Sequence, residues 1–385
     1  MSTTKLSVSL RVLGMVGLVL SSLSSVLVIS QLSAQPGQEI SYIDTHGHIT
    51  LGIPGGVQAA LDSMDAEGIR QMLIMPAPLG EVASEQGLPD IVAVHPDRFS
   101  FLSGGQSLNR KIQDAPGPVT LDTLASFESR AIEILRQGAI GFGEMVGEHF
   151  SLRPHHPYIS AQPDHPLFLR LADIAGRYGV PIDLHMEALT QDTPRTNLCD
   201  ITSVCWTQMG LTNPNPETFP ENIAALETLL SHNRRARIVW VHAGWDNTRY
   251  RTVELMHRLL RDHPNLYMNI KFRNRLANRP LDAIGQLKPE WLTLIRSFQD
   301  RIMIGTDAKY PDDQDLETLP LHRALLNQLP PDLARKVGYL NAVRIYNLNQ
   351  KMVCHQPSTQ AEKTMWIDSS ALEVHLRHGD FVGPC

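Results

Sequence analysis

The amino-acid sequence predicts an α/β chain folded as a (β/α)8 TIM barrel over residues 40–350. Two observations carry this prediction. Eight short, β-branched apolar runs recur along the chain, and stretches between them repeat their apolar residues every third or fourth position. The runs lie at Tyr42 to Asp44, Gln71 to Met75, Phe99 to Leu102, Ala139 to Phe142, Val180 to Leu184, Arg237 to Val241, Leu266 to Ile270 and Arg301 to Ile304. Helical period is clearest at Leu121 to Leu135, Pro166 to Tyr178, Asn222 to Leu230, Thr252 to Leu260 and Pro289 to Phe298. Strand alternating with helix implies a parallel sheet, and eight such units fit a closed barrel. An open doubly wound sheet is the competing arrangement. The chain has no GxGxxG or GxxxxGK[ST] at a strand-to-helix turn, which removes the usual nucleotide-binding forms of that competitor.

Residues 1–34 read as a signal peptide or N-terminal anchor. Lys5 and Arg11 precede an uncharged apolar stretch from Val12 to Ile29, and Ser and Ala residues follow as far as Ala34. The chain is therefore expected to be exported, periplasmic or secreted, with anchoring to the membrane by an uncleaved segment as the alternative. In such a compartment the four cysteines pair most simply as Cys199 with Cys205 and Cys354 with Cys385, although four cysteines permit three connectivities. Two long segments, Met145 to Asp164 and Met186 to Pro220, leave C-terminal strand ends. On a barrel that face carries the substrate site, so both are expected to wall or cover it. After Leu348 the periodicity fades, and residues 351–385 read as a C-terminal extension. A net charge of −6 lacks the basic excess that phosphate-backbone binding needs, so a small-molecule substrate is expected and nucleic acid is not.

The strongest local signal is Asp44-Thr-His46-Gly-His48 at the end of the first run. Side chains two apart on a strand share a face, so Asp44, His46 and His48 are expected to turn toward the barrel axis. Two imidazoles then converge as nitrogen ligands for a divalent metal, with Asp44 as an orienting carboxylate. Other runs end the same way: Glu144, His185, His242 and Asp307 each stand where an apolar run stops. Taken singly, these residues have ordinary readings as a loop charge, hydrogen-bonded core histidines and a helix cap. Five strand ends delivering only His, Glu and Asp to one barrel face are hard to explain by packing and point to a shared metal centre. On the seventh run, alternation puts Asn269, Lys271 and Arg273 on one face, where Lys271 and Arg273 could grip an anionic group of the substrate, with an outward solvated pair as the alternative. His149, His155, His156 and His165 in the fourth loop could touch substrate or metal, with surface or structural roles as the alternative. Trp206 could cover the site or simply pack within its loop.

From Ser41 to Leu348, including the closing Tyr-Leu-Asn341-Ala-Val-Arg-Ile-Tyr-Asn-Leu, the chain resembles the amidohydrolase superfamily. The nearer likeness is to its branch of metal-dependent hydrolases and nonoxidative decarboxylases. The resemblance implies His46, His48, His185, His242 and Asp307 as metal-site residues, with Glu144 where other members carry a carboxylated lysine or glutamate. One or two divalent ions are expected, Zn2+ first, with Mn2+, Fe2+ or Co2+ also suited to imidazole and carboxylate. The expected reaction is hydrolysis of an amide, lactone, ester or phosphoester by metal-activated water, with Asp307 carrying the proton and His242, if not a ligand, stabilising the developing oxyanion. The first alternative is a single-metal decarboxylase of a small aromatic or unsaturated acid, using His46, His48, His185 and Asp307 as ligands and His242 as proton carrier. The second is an exported metal- or ligand-binding protein without catalysis.

Overall fold

Aliphatic runs buried on both faces favour parallel pairing under a cover of helices, and here the pairing closes on itself. The computed structural model describes residues 41–385 except 79–84, 115–117, 153–155, 206–213, 274–277 and 312–313. Its barrel strands are β1 (Tyr42–Ile49), β2 (Ile69–Ile74), β3 (Phe99–Phe101, continued by Ser103–Gly104), β4 (Phe142–His149), β5 (Pro181–Met186), β6 (Arg237–Ala243), β7 (Leu266–Ile270) and β8 (Ile302–Ile304, continued by Ala308–Tyr310). Each pairs in parallel with the next, and β8 pairs with β1 through Gly47 and Ala308.

The two split strands make closure work. Leu102 N donates to Ile74 O and Ser103 N to Gly141 O, so β3 passes from one neighbour to the other. Gly305 N donates to Ile270 O and Asp307 N to His46 O, which does the same for β8. Gly305 is required there because a Cβ would stand 2.4 Å from the Asn269 side-chain nitrogen.

Helices predicted from the 3.6-residue period occur at Leu121–Arg136, Pro166–Tyr178, Ile223–His232, Val253–Asp262 and Pro289–Ser297. Their apolar faces pack on strand residues of one parity, such as Met72, Ile238, Trp240, Met268 and Ile270. The opposite parity, Leu73, Val239, Val241 and Met303 among others, forms a separate core with Ala342, Ile345 and Tyr346. The closing segment therefore plugs the barrel at its strand starts. Arg237 at the start of β6 donates to Ile345 O at 2.6 Å, and Asn341 donates to Ile302 O at the start of β8.

One expectation needs correcting. The fourth strand does not stop at Glu144 but runs to His149, because a buried carboxylate with partners need not interrupt a ladder. The loop expected from Met145 therefore begins five residues later, and Ile159–Ser160 returns to pair antiparallel with Glu148 and His149. The C-terminal extension is folded: β9 (Gln350–His355) lies between β10 (Lys363–Asp368) and β11 (Phe381–Val382) in an antiparallel sheet, with a short helix at Leu372–Arg377. Trp366 Nε1 donates to Tyr178 O and Arg136 Nε to Pro384 O, tying this sheet to the barrel helices. Cys199 is bonded to Cys205 and Cys354 to Cys385, the simplest pairing of the four. The segment read as a signal peptide or anchor lies outside the described residues, as do His155 and Trp206. Among the described residues no helix is long and apolar enough to cross a membrane.

Candidate metal centre

All six residues expected to hold metal meet at the C-terminal mouth of the barrel, each buried. They form two groups that share Glu144. His46, His48, Glu144 and Asp307 offer donor atoms within 4.8 Å of one another, and Glu144, His185 and His242 do so on the other side. The two oxygens of Glu144 divide accordingly. Oε1 faces His185 Nδ1 at 2.6 Å and His242 Nε2 at 3.0 Å, while Oε2 lies 3.7 Å from His46 Nε2 and 3.6 Å from His48 Nε2. Asp307 Oδ1 is 3.0 Å from His48 Nε2 and 3.8 Å from His46 Nε2.

Backbone devices aim these groups. His48 is oriented by its Nδ1, 2.9 Å from Met75 O. Glu144 is held from behind by Asn109, which donates to Glu144 O at 2.8 Å and accepts from Val146 N at 3.0 Å. His242 and Asp307 turn off their strands with φ of 67° and 55°, left-handed conformations that non-glycine residues keep only where surroundings demand them. For His242 the demand comes from Asn269, whose side-chain oxygen accepts from His242 N at 2.9 Å. For Asp307 it comes from Asp44. Strict alternation would face Asp44 to the axis with His46 and His48, but the β1 register shifts between Asp44 and Gly47. The Asp44 carboxylate instead accepts from Thr306 N at 2.8 Å, Thr306 Oγ1 at 2.6 Å and His46 N at 3.1 Å. It orients backbone, not an imidazole ring. Burial pushes its pKa up to about 6 against the pull of those hydrogen bonds.

The charge balance fits a cation. Burial raises the pKa of Glu144, yet the His185 charge and the hydrogen bonds from His185 and His242 hold it well below the carboxylate range. Burial likewise works against a charged His185, but Glu187 and Glu144 outweigh it and push the imidazole up to about 10. The surplus of carboxylate charge around these imidazoles is what a bound cation would balance. Both ring nitrogens of His46 are buried with no hydrogen-bond partner; a metal bond at Nε2, the nitrogen that faces Glu144 and Asp307, would relieve that cost on the side of the centre. Imidazole nitrogens with carboxylate oxygens form a divalent-metal donor set, and the residues fit it.

Lys271 departs from expectation. Its ammonium does not stand open to an anion; it is fully buried, paired with Asp307 Oδ2 and 4.4 Å from the centre of the Trp245 ring. Burial raises the Asp307 pKa, but Lys271, His242 and Lys309 pull it well below the carboxylate range. Arg273 lies over the same ring, 5.5 Å from the Trp245 ring centre.

Several participants were missed in the sequence. Trp245 packs over the described site, with ring contacts to His185 at 5.7 Å and His242 at 5.4 Å. Its position three residues after His242 was the available signal. Glu187 Oε2 backs His185 Nε2 at 3.3 Å and, two residues on from His185, was legible by alternation. Asp183, two residues before it, accepts from Tyr346 OH at 2.8 Å and lies 3.8 Å from His46 Nδ1. Of the described fourth-loop histidines, His149 stacks on His185 at 4.1 Å and contacts His156 at 4.5 Å, whereas His165 caps the helix Pro166–Tyr178.

The chain is similar in structure to a phosphotriesterase homology protein from Escherichia coli complexed with phosphate, with a TM-score of 0.48, 14% identity, and coverage of 80% of this chain and 100% of that one. It is also similar to a dihydroxybenzoic acid decarboxylase from a Polaromonas species with bound manganese and 2-nitroresorcinol (TM-score 0.47, 15% identity, 80% and 97% covered). A third likeness is to a 2,6-dihydroxybenzoate decarboxylase complexed with 2,6-dihydroxybenzoate (TM-score 0.45, 15% identity, 80% and 99% covered). No protein of curated function matches in sequence. Residues 43–348, well over half of the chain, match the family described as amidohydrolase, and the chain belongs to that family.

Proposed function

We propose that this chain is a metal-dependent hydrolase that cleaves an amide, lactone, ester or phosphoester of a small molecule at a two-ion centre. The observation that carries the reading is the division of the Glu144 carboxylate between two imidazole groups, His46 and His48 on one side and His185 and His242 on the other. In this reading His46, His48 and Asp307 would hold one ion and His185 and His242 the second, with Glu144 as the ligand they would share; Zn2+ is the first choice. Divalent ions held there supply Lewis acidity and lower the pKa of water toward about 7.

The chain's own groups do the rest. Asp307 is ionised and lies at the mouth, so it accepts the proton of the attacking water and passes it to the leaving group. Lys271 keeps that carboxylate in place and ionised. Trp245 walls the site and restricts bulk water. Arg273 is offered as the grip for an anionic group of the substrate.

A single-ion decarboxylase of a small aromatic or unsaturated acid is the second reading. It is favoured by one observation: His46, His48, Glu144 and Asp307 make a four-donor set without His242, with Glu144 in the place expected for His185, and His242 would then be left to carry a proton. Product analysis across a panel of lactones, amides, phosphoesters and aromatic acids, with metal content measured on the same preparation, separates the two. A hydrolysed bond at two ions per chain supports the first, and carbon dioxide at one ion supports the second. Export completes the proposal, supported by the apolar stretch after Arg11 and by two disulfides. Cell fractionation with N-terminal sequencing tests it; soluble cytoplasmic protein beginning at Met1 would refute it.

A further inference from the structure

The C-terminal sheet carries a cluster that the barrel chemistry does not use. His355 ends β9, directly after Cys354, and His375 lies on the short helix Leu372–Arg377. Asp380 comes immediately before β11, in a turn where Gly379 takes a φ of 90° and Asp380 N donates back to His375 O at 3.2 Å. The turn brings the three side chains to one point. His355 Nδ1 is 2.8 Å and His375 Nδ1 is 2.6 Å from the same oxygen, Asp380 Oδ2. The second oxygen, Oδ1, accepts from Gln356 N at 2.9 Å, which fixes the carboxylate. The rings are 5.6 Å apart and inclined at 71°, so their edges converge and their faces do not stack.

We propose that His355, His375 and Asp380 form a second metal site, separate from the barrel centre, that takes a borderline transition-metal ion such as Zn2+ or Cu2+. Two imidazole nitrogens and a carboxylate oxygen, all within 4.8 Å of one another, are the donors such ions favour over Ca2+ or Mg2+. Asp380 is buried and the two histidine side chains are 24% and 21% exposed, so the protein supplies three ligands and solvent reaches a fourth position. Here two Nδ1 atoms are directed at one oxygen, and among the described residues no Lys or Arg forms an ion pair with Asp380. An ion at this point would join the end of β9, the helix and the start of β11, the same span that the Cys354–Cys385 disulfide closes.

The test uses the full chain, stripped with chelator and titrated with Zn2+ alone by calorimetry, followed by metal analysis after desalting. The wild type is expected to bind one ion more than His375→Ala or His355→Ala. Both variants should keep the barrel's metal and the catalytic activity, because neither residue touches that centre. Crystals of the wild type soaked in Zn2+ give a check that needs no variant: an anomalous peak among the three side chains is expected. Equal stoichiometry in wild type and variants, or soaked crystals with a peak in the barrel and none here, would overturn the proposal and leave the cluster as a hydrogen-bonded staple.

Discussion

Replacing Glu144 by glutamine keeps the volume of the side chain and removes the charge that the two imidazole groups share. The His46 side of the centre would still have three donors, since His48 and Asp307 are untouched. On the far side only His185 and His242 remain, and an amide cannot present a charged oxygen to both sides at once. Partners that merely support a ligand are worth about 10- to 100-fold in metal affinity. Loss of a direct bridging carboxylate should therefore weaken the second ion by about 100-fold or more. Chelator-treated wild type titrated with Zn2+ should saturate near two ions per chain, and Glu144→Gln near one, with metal analysis after desalting as an independent count. A wild type that saturates at one ion, with the variant binding just as much, would refute the bridging argument and move the decarboxylase ahead of the hydrolase.

Three further outcomes are expected. Asp307→Asn should lower turnover by orders of magnitude and also destabilise the fold, because the buried Lys271 ammonium loses its counter-charge, a penalty of about 3–5 kcal/mol; adding Lys271→Met should recover melting temperature without recovering activity, and a single variant as stable as wild type would contradict the pairing. Glu187→Gln should weaken metal binding by about 10- to 100-fold through His185 while leaving the fold intact, measured by calorimetry; unchanged affinity would make Glu187 a bystander. Burial pushes the Glu148 pKa up to about 8 from an ordinary value near 4.5, against hydrogen bonds from Ser160 and Tyr158. Its contribution to stability is therefore fully present below about pH 4.5 and lost as pH rises through about 8, an effect on the order of a few kcal/mol. In chelator-treated protein the melting temperature of Glu148→Gln relative to wild type should climb between pH 5 and pH 9, and a difference independent of pH would sink the assignment.

The barrel was legible because hydrophobic period reports burial, and burial on a closed parallel sheet is nearly complete along each strand. β5 was expected to begin at Val180 and β7 at Leu266, and the strands start at Pro181 and Leu266. The β4 boundary was misplaced for an equally physical reason: a charge reads as the end of an apolar run, whereas Glu144 is buried among imidazoles that satisfy it. The metal residues were readable for their chemistry alone. His46, His48, Glu144, His185, His242 and Asp307 are strong ligands wherever they stand, and each follows an apolar run.

Orientation was the part that one dimension could not decide. The register shift in β1 after Asp44 turned its side chain away from the ring of ligands, and no local pattern announces a bulge whose partner, Thr306, is 262 residues away. Lys271 looked like a substrate grip because alternation says which face a side chain takes, not what waits there; Asp307 waits there, carried by β8. The same holds for Trp245, Asn109 and Tyr346, ordinary residues in sequence that become cover, brace and plug only when the barrel closes. The sequence alone determined which apolar runs are buried and which chemistry the site residues own, since both are properties of short segments. The tertiary structure alone decided which of them meet, because a hydrogen bond or ion pair depends on distance, and distance across a closed barrel bears no relation to separation along the chain.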